Sequence, residues 1–124
     1  MAAGCKVREK TGEKHPTRYY SSKQEKAVAK AVGGQQTANS GATDWQKSDV
    51  LTEQFTLECK TKTKSSDSIS IKKDWFEKQK KESVFMGKPY YAIVFNFGPD
   101  EENHYIINEE LFEHLLNYLK ESRK

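Results

Sequence analysis

The apolar run from Tyr91 to Phe97, within "GKPYYAIVFNFG", restricts the fold of this chain more than any other stretch. A half-buried strand alternates apolar and polar side chains. A near-continuous apolar run instead needs cover on both of its faces. The run therefore predicts a central strand with a layer above it and a layer below. At 124 residues and 35% hydrophobic content, the chain can fill one such layered domain.

The remaining segments supply the layers. "SKQEKAVAKAV" places Ala27, Val28, Ala31 and Val32 on one helical stripe, with Ser22 as the expected N-cap and Gly33–Gly34 as the stop. Residues 1–18 are polar, basic and free of apolar periodicity, and read as a flexible arm. Residues 19–124 read as a single domain. "QQTANSGATDWQ" reads as a loop. "KSDVLT" and "FTLECKTKT", joined by the tight turn "EQ", read as a β-hairpin that puts Asp49 in its first strand. A helix is expected from about Ile71, with Ile71, Trp75, Gln79 and Glu82 on one side. "HYIIN" reads as a short strand. "EELFEHLLNYL" reads as a final helix capped by Asn108, with Leu111, Leu115, Tyr118 and Leu119 as its stripe. The order predicts a small α/β domain, a mixed sheet flanked by helices.

Net charge is +3 but unevenly spread. Residues 1–23 hold six basic and two acidic side chains, residues 58–90 nine and five, and residues 98–124 three and seven. Basic segments beside a site suit a polyanion, and a solvated surface accounts for the asymmetry equally well. Cys5 and Cys59 have neither metal-ligand spacing nor a disulfide framework, which suits a reducing, intracellular compartment such as the cytoplasm or nucleoid of a host cell. "MAAGCKVREK" has no apolar signal core, and no run of about 18 apolar residues exists. Neither secretion nor a membrane span is expected.

Alternation along "FTLECK" sends Phe55, Leu57 and Cys59 to one face and Thr56, Glu58 and Lys60 to the other. The first set suits a core, with Cys59 as a small buried residue. The second joins an acid and a base, either as an ion pair worth under about 1 kcal/mol or as half of a site. Across the hairpin, Asp49 reaches the face of Glu58. Two converging carboxylates suit Mg²⁺ or Mn²⁺, which neutralise phosphate charge and acidify a bound water. Lys60 could orient that water or stabilise transition-state charge. Glu25, beside the first helical stripe, could complete the ligand set. It could also close a capping box with Ser22, and the two roles are compatible.

This ordered set resembles the PD-(D/E)xK nuclease superfamily: a Glu on the first helix, an Asp after a loop, then Glu-x-Lys, here "ECK". Within the superfamily the chain is similar to the archaeal-type Holliday junction resolvases and their phage-borne relatives. The matching stretches are Glu25 in "KQEKAV", "NSGAT" at 39–43, "KSDV" at 47–50 and "LECKT" at 57–61, followed by a helix near "KKDWF" and the strand "YYAIVF". The likeness covers about residues 20–97. Ser48-Asp49 stands where the family commonly has Gly-Asp or Val-Asp, which leaves the Asp intact. The resemblance implies a restriction-endonuclease-like fold and an Mg²⁺- or Mn²⁺-dependent endodeoxyribonuclease of the crossover junction type. It implies branched or duplex DNA as substrate and a two-fold homodimer. Asp49, Glu58 and Glu25 would bind the metal, Lys60 would orient the nucleophile, and the loop residue Ser40 would also be functional.

The catalytic set does not separate a resolvase from another structure- or sequence-selective nuclease on the same scaffold. A non-catalytic DNA-binding module would keep the fold, and a protein–protein adaptor would show no salt-dependent DNA affinity. Lys47, Lys62, Lys64, Lys72 and Lys73 are candidate phosphate contacts, with solvated lysines as the plain alternative. Ser40 equally suits a loop-shaping role. Trp75 reads as core more readily than as a base-stacking residue, Tyr19 and Tyr20 suit stacking or packing, and His104 and His114 read as structural.

Overall fold

The computed structural model describes residues 15–37 and 48–123. Its elements are α1 (Thr17–Val32), β1 (Gln35–Gln36), β2 (Val50–Leu51), β3 (Phe55–Lys60), α2 (Lys73–Phe85), β4 (Tyr90–Phe95), β5 (His104–Ile106) and α3 (Glu109–Ser122). The strands form one sheet in the order β1-β2-β3-β4-β5. β3 and β4 pair in parallel, and the other neighbours are antiparallel. Parallel neighbours need a crossover connection, and α2 supplies it. The mixed α/β fold is as expected. β4 has a strand on each side, and Ala92, Ile93 and Val94 are buried in succession.

α1 covers one face of the sheet. Val28 and Ala29 pack with Val50, Leu57, Cys59, Ala92 and Val94, and Phe55 lies at the margin of this core. Phe55, Leu57 and Cys59 thus share a face, as alternation requires. The face toward α2 is different in kind. Ser48, Thr56, Gln79, Glu82 and Ser83 are all buried. A buried polar layer persists only if it is hydrogen-bonded, and Gln79 Nε2 donates to Thr56 Oγ1 at 2.9 Å.

Several boundaries differ from the sequence reading. α1 begins at Thr17, so Ser22 lies inside the helix and neither caps it nor forms a capping box with Glu25. Pro16 stands at the N-cap with φ −65°, and the Tyr19 N–H donates to its carbonyl at 2.9 Å. Proline cannot lie inside a helix, because it lacks the N–H and its ring clashes with the preceding turn, so it marks the boundary before Thr17. Apolar periodicity registers only the buried turns, and the first turns of α1 are exposed. The expected arm therefore gives up residues 17 and 18 to α1, and residues 1–14 lie outside the described residues. Gln35–Gln36, read as loop, pairs with Val50–Leu51 as an edge strand. Two residues are too few for alternation to show. α2 starts at Lys73 and leaves Ile71 exposed ahead of it.

Gly33 ends α1 at φ 70°, in the left-handed region. Gly34 is required by contact, because a Cβ there would lie 2.5 Å from the Leu51 carbonyl oxygen. At α3, Asn108 Oδ1 accepts from the Leu111 N–H at 2.9 Å, so the expected cap forms. Of the expected stripe, Leu111 is buried, whereas Leu115, Tyr118 and Leu119 are exposed. Among the described residues, no helix is long and apolar enough to cross a membrane.

Candidate active site

Asp49 lies immediately before β2, not within it. Its N–H donates to the Leu57 carbonyl at 3.0 Å, and its carbonyl accepts from the Thr37 N–H at 3.0 Å. Its side-chain Oδ2 accepts from the Cys59 N–H at 2.8 Å. The carboxylate thus extends the β2–β3 ladder beyond the last backbone pair, Val50 with Leu57. The strand residue it grips is the one between Glu58 and Lys60.

Glu58 and Lys60 leave β3 on the α2 side. Lys60 Nζ lies 3.5 Å from Glu58 Oε2 and 4.8 Å from the centroid of the Trp75 ring. The cation is shared between a carboxylate and an aromatic face. Glu58 Oε1 is buried and has no hydrogen-bond partner among the described residues.

Both helices brace this strand. From α2, Gln79 Nε2 donates to Ser48 Oγ at 2.9 Å, and Ser48 Oγ donates to Glu82 Oε1 at 2.9 Å. Ser48 precedes Asp49, so α2 holds the backbone that presents the aspartate. From α1, Gln24 Nε2 donates to the Lys60 carbonyl at 2.9 Å and to Asn103 Oδ1 at 3.1 Å. Sequence reasoning missed Gln24 and Ser48, each adjacent to a residue it singled out. It placed Gln79 and Glu82 on the Trp75 side without assigning them a task. The signal was two polar residues on the inward stripe of a helix.

Glu25 is half-buried, and its Oε1 accepts from Gln36 Nε2 at 3.1 Å. Burial raises its carboxyl, against the bond from Gln36. Burial, then the negative charge of Glu58, pushes the Asp49 carboxyl up to about 7, with Glu25 adding to the rise and the Cys59 N–H and Lys60 opposing it. Glu58 is raised by burial foremost and by Glu82, against Lys60 and Lys78. The Cys59 thiol is pushed far up by burial and these carboxylates, so it stays protonated and inert. Burial is the first cause of the rise in all three carboxyls, with repulsion from neighbouring acids adding to it at Asp49 and Glu58.

A hard divalent cation fits these residues. Glu58 presents a buried oxygen without a donor, and Asp49 a carboxylate whose ionisation its surroundings resist. A bound cation reverses both penalties. Asp49 and Glu58 are the residues that would hold it. Among the described residues no group of three or more His, Cys, Asp or Glu forms a ligand cluster. The arrangement is a pair of carboxylates with Glu25 set apart on Gln36.

Beside the pair, Lys60, Lys72, Lys78 and Trp75 line a cleft of ≈ 200 Å³ that Glu58 and Asp74 also border, so its basic side chains outnumber its acids by one. Lys72 is thereby brought to the site. Lys62 is half-buried and Lys64 exposed, both just after β3. Lys73 is exposed with Nζ 4.0 Å from Glu77 Oε2. Ser40 and Lys47 lie outside the described residues. Trp75 is half-buried at the cleft wall, and Tyr19 stacks on His15 at 3.9 Å between centroids. His104 stacks on Phe95. No protein-family model, no curated protein and no solved structure matches this chain.

Proposed function

We propose that this chain is a metal-dependent DNA endonuclease of the PD-(D/E)xK type that nicks four-way junctions as a homodimer, a Holliday junction resolvase on a restriction-endonuclease-like scaffold. The observation that carries the reading is the bond from the Cys59 N–H to Asp49 Oδ2, which ties the aspartate to the strand of Glu58 and Lys60. Asp49 and Glu58 would hold Mg²⁺ or Mn²⁺, and Glu25 would add to the negative charge that attracts it. The ion, when bound, neutralises charge on the scissile phosphate and acidifies the attacking water. Lys60 Nζ donates to that water or to a phosphate oxygen, orienting the attack. Water oxygen bonds to phosphorus as the water gives up a proton to solvent, the bond from phosphorus to the leaving deoxyribose oxygen breaks, and that oxygen takes a proton from solvent. Lys72 and Lys78 draw the backbone into the cleft by neutralising phosphates. Resolution needs two symmetric nicks, hence two copies related by a two-fold axis.

The test is cleavage of a four-way junction against a matched linear duplex, with and without Mg²⁺. Preferential, Mg²⁺-dependent, paired nicking of the junction is expected. Equal cutting of both substrates overturns the resolvase assignment and keeps the nuclease. Binding without cutting in either Mg²⁺ or Mn²⁺ overturns the nuclease assignment.

A further inference from the structure

α3 has the makings of a lone helix. Its one buried residue is Leu111, while Phe112, Leu115, Leu116, Tyr118 and Leu119 are 41–65% exposed. A single helix of this length is marginal in water, and its stability comes from packing of its apolar face. Cover on this face would stabilise the helix. The segments outside the described residues are poor candidates by composition. Residues 1–14 carry Val7 and Met1 as their larger aliphatic side chains, and residues 38–47 carry Trp45. A lipid surface is a poor candidate too, because interfacial helices carry a basic polar face and α3 carries Glu109, Glu110, Glu113 and Glu121.

We infer that the exposed face of α3 is a homodimer interface, in which α3 packs antiparallel against α3 of a second copy. Half-exposed side chains of this size present on the order of 100 Å² apiece. Five from each copy remove about 1,000 Å², the lower bound of a specific interface. Charge sets the direction. Glu109, Glu113 and Lys120 follow one edge of the apolar stripe, at helical spacings of four and seven. In an antiparallel two-fold pair, each edge meets the same edge of the partner running the other way. The acidic start of one α3 then faces Lys120 of the other. A parallel pair would instead set this edge against the partner's opposite edge, toward which Glu110 and Glu121 lie, so Glu109 and Glu113 would meet further acid. The inference deepens the homodimer of the proposed function by assigning its interface to α3, so a dimer that nicks junctions but is indifferent to Leu116→Glu overturns the interface alone, whereas a monomer overturns both.

Sedimentation equilibrium of the full chain tests it. A dimer at micromolar concentration is expected. Leu116→Glu should weaken it by about 100-fold or more, with the urea midpoint of the monomer retained. Glu113→Lys and Lys120→Glu should each weaken self-association, and an equimolar mixture of the two should restore a dimer, because both edge contacts are then opposite in sign. A monomeric wild-type chain overturns the inference. So does a dimer indifferent to Leu116→Glu, and failure of the mixture to recover overturns the antiparallel arrangement.

Discussion

The Cys59 N–H donates to Asp49 Oδ2 at 2.8 Å, and Cys59 lies between Glu58 and Lys60 on β3. One hydrogen bond thus sets the aspartate against the strand that carries both other polar groups. The Cys59 side chain meanwhile enters the apolar core beneath α1. The residue that anchors the strand is also the residue that positions the acid.

Asp49→Asn and Glu58→Gln should each abolish Mg²⁺-dependent cleavage while leaving junction affinity within a few-fold. Lys60→Ala should lower the rate by roughly 100-fold or more, as loss of a charge-stabilising group does. Gel-based cleavage alongside a binding isotherm separates the two effects. Full cleavage by either carboxylate variant would show that the metal is placed wrongly.

Stability should fall as pH rises. The Asp49 carboxyl is raised to about 7 in the folded chain, against an unfolded value of about 3.9. Between these limits the folded state binds more protons than the unfolded state, so the slope of stability with pH is negative. Glu25 and Glu58 are shifted the same way. The urea midpoint in chelator should drop from pH 5 to pH 8, and Asp49→Asn should flatten the drop. Mg²⁺ should raise the midpoint more at pH 8, where the carboxylates are ionised. An Asp49-dependent rise toward pH 8 would contradict this electrostatic account.

Ser48→Ala should destabilise the fold by about 1–3 kcal/mol. It removes the donor to Glu82 Oε1 and one acceptor of Gln79 Nε2. Glu82 Oε2 already has no partner among the described residues, so the variant leaves a buried carboxylate without a donor. Urea titration with an unchanged m-value is the measurement. A change under about 0.5 kcal/mol would make the network incidental.

Lys72→Ala and Lys78→Ala should each weaken DNA binding at all sequences and reduce the salt slope by about 1. Lys73→Ala, whose ammonium already has Glu77 beside it, should change the slope less. Trp75→Ala should lower affinity and also release the Lys60 ammonium from its aromatic contact. Equal slopes for all three lysine variants would remove the cleft as the phosphate path.

Local pattern was sufficient for what local pattern can carry. The apolar run ending at Phe97 marked β4, alternation in Phe55–Lys60 divided β3 into a core face and a polar face, and Asn108 and Gly33 marked helix ends. These follow from side-chain period and backbone conformation, which each segment expresses alone. The edge strand β1 and the first turns of α1 were not legible, because a two-residue pair and an exposed helical turn leave no apolar period. Gln24, Ser48, Gln79 and Glu82 form contacts between segments far apart in sequence, and only chain packing makes them a network. The raised carboxyls belong to that same level: a carboxylate titrates ordinarily in water, and burial beside other acids alters it. By itself the sequence determined which residues could form a strand, a core or a pair of carboxylates. Tertiary structure decided that Asp49 is held by Cys59, that Lys60 lies over Trp75, and that the apolar side of α3 is left facing outward.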